Sequence, residues 1–161
     1  MTLQYEIIHK KDINDSHRST FADLLKLQGK VKGNLLEKAE RCKFICIVRL
    51  NASPIAIGGI KPKTKEDFES DKADLMNIES SFEWELGYIY TDKDFSGKGI
   101  ASNLVKILIE EFGSGNLMAS AEINANPGMV RILEKSGFRH YGKPWKSGIH
   151  DNYLGLFLRF N

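Results

Sequence analysis

Two glycines between a strand-like segment and a helix-like segment are the clearest chemical feature of this chain. Gly97 and Gly99 lie in the stretch 96–101, which reads SGKGIA. A glycine has no Cβ, so it lets a bulky anion approach the backbone closely. A helix that starts here would point its unpaired N–H groups and the positive end of its dipole into the turn. The stretch therefore predicts a binding site for a phosphate chain.

The segments on either side of the turn have the patterns that such a site needs. Residues 85–91 (ELGYIYT) are rich in aromatic and β-branched side chains, which predicts a strand. From Ile100 to Phe112, apolar residues recur at helical spacing and charged residues occupy the other side. The order strand, glycine turn, amphipathic helix places the turn at a helix N-terminus.

Other readings of the turn fit less well. A P-loop needs a serine or threonine after its lysine, and here Gly99 follows Lys98. A Rossmann fingerprint needs a third glycine where Ser102 stands, and it belongs to a repeated βαβ pattern that this chain does not show. The plain alternative is a strand-to-helix turn that uses glycine only for tightness.

Length and composition indicate a soluble globular chain. With 161 residues it suits a single domain, 1–161, and a net charge of +2 gives no reason to expect a nucleic-acid or membrane partner. The N-terminal segment lacks the apolar core of a signal peptide, so we expect a cytoplasmic protein. Cys42 and Cys46 suit small core or edge residues, and the four histidines are scattered, so we expect neither a disulfide framework nor a metal site.

The rest of the chain predicts the order β-α-α-β-β-β-α-β-α-β-β. The expected strands are 3–8, 44–50, 55–60, 85–91, 117–123, 138–141 and 153–160; the expected helices run from an Asp15 or Ser16 cap to 28, from 34 to 41, from 100 to 112, and from Pro127 to Gly137. The charged connector 61–81 favours a solvated surface loop; the alternative is an acidic lip that attracts a cationic amine.

Two motifs in this order carry a family resemblance. Ser96-x-x-Gly99-x-Ala101 resembles the [Gln/Arg]-x-x-Gly-x-[Gly/Ala] signature of the GNAT superfamily, the acyl-CoA-dependent N-acyltransferases. The segment from Asn126 to Phe138 resembles the family's Asn-x-x-Ala-x-x-x-Tyr-x-x-x-Gly-Phe motif. The resemblance implies an α/β (α+β) fold of GNAT type, in which a mixed, mostly antiparallel central sheet carries helices on both faces.

The resemblance also implies acetyl-CoA as the cosubstrate. Its pyrophosphate would lie at the turn, its pantetheine arm along the strand before the turn, and Asn126 would hold its other side or simply cap a helix. Ser96 stands where the family usually has Gln or Arg, so no guanidinium is available there. The implied cofactor-binding residues are Ile89, Tyr90, Thr91, Ser96, Gly97, Lys98, Gly99, Ile100, Ala101 and Asn126.

The implied reaction is direct acetyl transfer to a primary amine. An amine is mostly protonated near pH 7, so a general base helps. Glu85 is the candidate base. It lies eleven residues before Ser96, and this offset matches that of the strand glutamate which is the base in some family members. Glu83 is the reserve candidate. The alternative interpretation is that both glutamates are ordinary polar residues at the exposed end of a strand. Leu133 replaces the family's proton-donating tyrosine; Tyr141 is the substitute, unless it is a core aromatic.

The acceptor is not identified by the sequence: a small amine, an amino acid, an antibiotic or a peptide all fit. The resemblance places its pocket in 15–41 and 142–152, where Trp145, His150 and Asp151 are either pocket or plain loop residues. Dimers are common in the family, so a homodimer is compatible with it. A non-catalytic acyl-CoA-binding sensor is the main alternative function, and a nucleotide-binding module is the third.

Overall fold

A mixed seven-stranded sheet organises the chain in the computed structural model, which describes residues 2–161. The strand order is β1-β2-β3-β4-β5-β7-β6, with β4 and β5 parallel and the pairs β1/β2, β2/β3, β5/β7 and β6/β7 antiparallel. The sheet and its helices confirm the predicted fold class. The strands are β1 (Leu3–His9), β2 (Phe44–Leu50), β3 (Ser53–Pro62), β4 (Trp84–Thr91), β5 (Leu117–Glu122), β6 (Arg139–Lys146) and β7 (Tyr153–Arg159); the helices are α1 (Asp15–Gln28), α2 (Lys38–Arg41), α3 (Ile100–Phe112) and α4 (Pro127–Lys135).

The chain divides into two compact units that alternate along the sequence. The first contains the chain up to Lys61 together with Leu86–Gly113. The second contains Pro62–Glu85 and Ser114–Asn161. Strand β4 therefore contributes its first two residues to the second unit and the remainder to the first.

In the first unit, α1 packs on one face of β1, β2 and β3. Asn14 caps this helix, not Asp15 or Ser16 as predicted, because its side chain accepts a hydrogen bond from the His17 N–H at 3.0 Å. Tyr88 and Tyr90 of β4 pack against the same core. The buried cluster consists of Ile8, Phe21, Leu24, Leu25, Ala39, Cys42, Ile45, Ile47 and Ile57.

Gly58 of β3 marks a close approach between α3, β3 and β4. A Cβ at this position would lie 2.6 Å from Cδ1 of Ile89 and 2.9 Å from Cδ1 of Leu108. Real Cβ atoms essentially never make such short contacts. Glycine at this point therefore lets the helix that follows the turn lie tightly against the sheet.

The two cysteines are free thiols inside the first unit. Both are fully buried. Burial raises the pKa of Cys42 to about 12, and burial with the nearby Glu6 charge raises the pKa of Cys46 to about 12. Both residues are core residues, as one reading of the sequence predicted.

Most of the charged connector 61–81 belongs to the second unit. It is a surface segment in which a few residues are buried, so the prediction of a solvated loop holds for only part of it. It forms two 3₁₀ helices, Lys65–Phe68 and Met76–Ser81. Phe68 and Ala73 are buried in a cluster that also contains Phe82, Met118, Trp145, Leu156 and Leu158. Short 3₁₀ turns bury isolated residues without a helical or alternating pattern, and the sequence therefore gave no periodic signal.

Strand β6 is longer than predicted, because Gly142 breaks the alternation without ending the strand. The pairing of β6 with β7 is irregular between Tyr141 and Trp145. Gly142 has φ +76°, and a Cβ there would lie 2.3 Å from the Ala73 carbonyl oxygen. The neighbouring Lys143 N–H donates to that same oxygen at 3.0 Å. The close approach of the backbone of Ala73 thus requires glycine.

Candidate functional site

The glycine turn of the first unit has the backbone that the sequence predicts. After β4, a short 3₁₀ helix (Lys93–Phe95) leads into Gly97 with φ +75° and Gly99 with φ +79°, and α3 begins at Ile100. Nothing lies within 4 Å of the position that a Cβ would take at either glycine. Positive φ favours glycine here, and the open space beside the backbone leaves room for a ligand.

The N-terminus of α3 presents backbone donors to this space. The Asn103 N–H donates to the Gly99 carbonyl at 3.1 Å, which is the first bond of the helix. Helix geometry therefore leaves the N–H groups of residues 100–102 without intrahelical partners. The exposed Lys98 adds a positive charge beside them. Donors, dipole and lysine together fit a phosphate chain.

The Ser96 side chain stabilises the turn. Its exposed hydroxyl donates to the Lys93 carbonyl at 3.0 Å. The hydroxyl proton is therefore already used within the turn, and an anion would meet backbone N–H groups and Lys98 first. A contact between Ser96 and phosphate stays a prediction.

The backbone of β4 turns alternate residues toward opposite edges. The Asp92 N–H donates to the Ile55 carbonyl of β3 at 2.7 Å. Because amide direction alternates along a strand, Tyr90 also faces β3, whereas Ile89 and Thr91 face the other edge. The predicted contacts of Ile89 and Thr91 with a pantetheine arm would be made at that edge. Burial, with the Asp92 and Asp94 charges, raises the pKa of Tyr90.

One residue of β4 is in an unusual conformation. Tyr88 has φ +60°, in the left-handed region that bulky residues rarely adopt within a strand. Its ring packs edge-on against Phe21 at 5.7 Å, and Lys61 Nζ lies 5.7 Å from the ring centre. Such strain costs about 1–3 kcal/mol and persists only where the surroundings hold the residue. This conformation was not predictable from the sequence, since a tyrosine in an aromatic-rich segment is typical of a regular strand.

In the second unit, the predicted base Glu85 is a buried, oriented carboxylate. Its residue is 6% exposed, so the reading as an exposed strand end is wrong for Glu85. Its Oε1 accepts hydrogen bonds from both the N–H and the hydroxyl of Thr64, each at 2.8 Å. The reserve candidate Glu83 is exposed and precedes β4. The two carboxylates are therefore distinguished by burial, which favours Glu85.

The other predicted residues of the second unit have mixed environments. Tyr141 is 38% exposed on β6 and packs edge-on against Phe160, with ring centres 5.5 Å apart. Leu133 is fully buried. Asn126 caps α4, since its side chain accepts from the Met129 N–H at 3.2 Å. The capping role of Asn126 is thus present, and its role toward a cofactor stays a prediction.

The segment before β7 has a polar centre that the sequence interpretation missed. Glu122, at the end of β5, is 6% exposed; its Oε2 accepts from Asn152 Nδ2 at 2.6 Å, and its Oε1 lies 3.8 Å from His150 Nε2. Trp145 belongs to the buried core, and Asp151 lies 3.7 Å from Lys146 Nζ at the surface. The available signal in the sequence was Glu122 itself, a carboxylate at the end of the otherwise uncharged strand segment LMASAE.

Two classes of site are not found in the described chain. Residues 2–161 contain no group of three or more His, Cys, Asp or Glu side chains that could hold a metal ion. Within the same range, no helix has the length and apolar character needed to cross a membrane.

Comparisons with known proteins bear on the family and the fold of this chain. The family model described as "Acetyltransferase (GNAT) family" matches residues 7–138. A chain of the NatC complex bound to Gag peptide and CoA superposes with a TM-score of 0.75 at 15% identity, over 100% of this chain and 99% of that one. Escherichia coli ElaA gives 0.69 at 11% identity, over 98% and 99%. The ribosomal-protein-S18-alanine N-acetyltransferase of Escherichia coli gives 0.66 at 13% identity, over 97% and 93%. No curated protein matches significantly.

Proposed function

This chain belongs to the acetyltransferase (GNAT) family and uses acetyl-CoA as its cosubstrate, and we propose that it transfers the acetyl group directly to a primary amine of a small molecule or a peptide. The observation that carries this proposal is the turn before α3. There, Gly97 and Gly99 leave open space beside a row of helix N–H donors. Open space next to helix N–H donors fits a phosphate-bearing donor.

The residues of the first unit fit the donor that the family uses. When bound, acetyl-CoA supplies an activated acetyl thioester. The N–H groups at the start of α3, with Gly97, Lys98 and Gly99, would hold its pyrophosphate. The N–H of Ile89 and the backbone groups of Thr91, on the edge of β4 away from β3, would hold its pantetheine arm, because the Ile89 carbonyl already accepts from Gln28. Ser96 would act by fixing the shape of the turn.

Glu85 is the general base in this proposal. An amine nucleophile must lose a proton, either to the carboxylate or to a bridging water. Two hydrogen bonds from Thr64 hold Glu85 in one orientation, so its side chain is preorganised to accept that proton. This arrangement supports the role better than the exposed Glu83 does.

Tyr141 is the proposed proton donor for the leaving thiolate, because Leu133 is buried and cannot donate. A thiol with an ordinary pKa of about 8.5 is also a tolerable leaving group without help. We therefore expect loss of the Tyr141 hydroxyl to lower turnover modestly and loss of the Glu85 carboxylate to lower it strongly.

A non-catalytic acyl-CoA sensor is the second candidate. It is favoured by the Ser96 hydroxyl, which is engaged with Lys93, and by the buried Leu133, since both depart from the family's motifs. The amine acceptor separates the two candidates, because a sensor binds acetyl-CoA and acetylates nothing.

The test is a calorimetric titration with acetyl-CoA, with ATP and NAD as controls, followed by a panel of amines. We expect selective micromolar binding of acetyl-CoA at one site and CoA release with at least one amine or peptide N-terminus. A thiol reagent can report the released CoA, since both cysteines of the chain are buried. Binding without transfer to any acceptor would favour the sensor. Absence of binding would overturn the assignment of the turn.

A further inference from the structure

Four buried polar side-chain atoms have no hydrogen-bond partner within the described part of the chain. Two of them are Oε1 of Gln28, the last residue of α1, and Oγ1 of Thr91, the last residue of β4; the others are Tyr5 Oη and Arg159 Nη1. A buried polar atom left unpaired costs about 1–3 kcal/mol, and such atoms are nearly always satisfied in folded proteins. Of the four atoms, those of Gln28 and Thr91 are the two that lie at β4, and one partner from outside the chain would satisfy both.

The amide of Gln28 is attached to the edge of β4. Its Nε2 donates to the Ile89 carbonyl at 3.0 Å, across 61 positions of sequence. A carbonyl can only accept, so the nitrogen of the side-chain amide must face it and Oε1 must be the unpaired acceptor. Ile89 and Thr91 both direct their backbone groups to this edge, away from β3. Gln28 thus places a second acceptor next to the strand's own row of polar groups.

The chemistry of these groups defines the partner. Oε1 of Gln28 needs an N–H or O–H donor, and the Thr91 hydroxyl can donate to a carbonyl or accept. A molecule with secondary amides along an extended chain provides both an N–H and a carbonyl. The pantetheine arm of acetyl-CoA has this composition.

We infer that Gln28 is a positioning residue for the acyl donor. Its Nε2 already donates to the Ile89 carbonyl, so that carbonyl is occupied. Oε1 of Gln28 accepts the N–H of a pantetheine amide in its place. The Thr91 hydroxyl provides the second contact to the arm. This inference rests on the proposed placement of acetyl-CoA along β4. It extends the donor site from the strand-turn-helix segment to α1.

The experiment compares two probes by calorimetry on the full chain. Acetyl-CoA contains the arm, whereas adenosine 3′,5′-bisphosphate carries the nucleotide part without it. Gln28→Met removes the amide and keeps the length of the side chain. Gln4→Met is the matched control, because Gln4 is the other glutamine of the chain and is exposed on β1. Thr91→Val, which removes the hydroxyl and keeps the shape, is an independent variant.

The expected result is a selective loss. Gln28→Met weakens acetyl-CoA binding by about five- to a hundredfold and changes the affinity for the bisphosphate less than about twofold. Thr91→Val shows the same selectivity, and Gln4→Met changes neither affinity. The selectivity matters because a residue that only supported the fold would affect both probes.

Three results would overturn the inference. Equal weakening of both probes would make Gln28 a residue of the fold alone. Unchanged or tighter binding of acetyl-CoA to Gln28→Met would mean that Gln28 is irrelevant to the arm or competes with it for the Ile89 carbonyl. Failure of the unaltered protein to bind acetyl-CoA would contradict the proposed function itself, and this role with it.

Discussion

Replacing Gly99 with glutamate tests whether the turn before α3 binds phosphate. Gly99 is the N-cap of α3, with φ +79° and nothing within 4 Å of its would-be Cβ. A glutamate side chain therefore has room on the protein side. Its carboxylate would occupy the space proposed for the pyrophosphate and would oppose it with a like charge. We expect Gly99→Glu to lose acetyl-CoA affinity and remain folded.

The size of the loss follows from Coulomb's law. A carboxylate about 6 Å from a pyrophosphate of charge about −2 is repelled by about 1.4 kcal/mol in bulk water and by about 5.5 kcal/mol at an effective dielectric constant of 20. Residues 96–99 are exposed, so the aqueous limit is the safer minimum. The affinity should thus fall at least about tenfold, and further if the side chain also blocks close approach. The left-handed backbone costs about 1–2 kcal/mol of folding stability in addition.

The assay is calorimetric titration with acetyl-CoA, together with thermal unfolding of each variant. Gly99→Ala carries the backbone cost without the charge or the longer side chain, so the difference between the two variants at Gly99 gives the combined effect of the charge and of the blocked space. Gly113→Glu is the control for a charge at the other end of α3. Gly113 also has positive φ and nothing within 4 Å of its would-be Cβ, but its ψ of −132° differs from the 6° of Gly99. This variant should lose stability and keep its affinity. The reasoning is refuted if folded Gly99→Glu binds acetyl-CoA as tightly as the unaltered protein does, or if Gly113→Glu loses as much affinity.

Three further predictions concern the base, the thiols and the core. Glu85→Gln should lower kcat by about a hundredfold or more, because an amide cannot take up the proton. The affinity for acetyl-CoA should change little. Steady-state kinetics and calorimetry measure the two quantities, and a fall in affinity without a fall in kcat would contradict the role. Cys42 and Cys46, whose pKa values burial raises to about 12, should resist a thiol reagent at pH 8 and react only in denaturant; fast labelling of the folded protein would be the contrary result. Gly58→Ala should lower the free energy of unfolding by about 1–3 kcal/mol, because its Cβ meets Ile89 and Leu108 side chains. Gly128→Ala, with no neighbour nearer than 3.9 Å, is the control in the same denaturation assay, and equal stability of the two variants would count against the packing argument.

Elements with strong local patterns were predictable from the sequence. The predicted bounds of α3 and β2 agree with the structure, because an amphipathic period or an apolar run is written into consecutive residues. The turn at Gly97 and Gly99 was predictable for the same reason, since positive φ and a following helix have a local chemical signature.

Features that depend on distant partners were not predictable. Gln28 reaches Ile89 only because α1 packs beside β4, and nothing in the helix pattern distinguishes this glutamine from an exposed one. The burial of Glu85 and its two bonds from Thr64 likewise depend on the path of the connector. Phe68 looked like part of a charged loop because its burial comes from a 3₁₀ turn and a distant core.

The left-handed conformation of Tyr88 has a consequence for changes of chain length. An inserted or deleted residue in β4 would move a different side chain into the strained position and would remove the ring from its place against Phe21. It would also reverse the edge that every following amide faces, since a shift of one position inverts the alternation. Single substitutions in β4 leave this alternation intact. We therefore expect the segment to tolerate many replacements and almost no insertions or deletions. The length of β4 is then more strictly constrained than the identity of most of its residues.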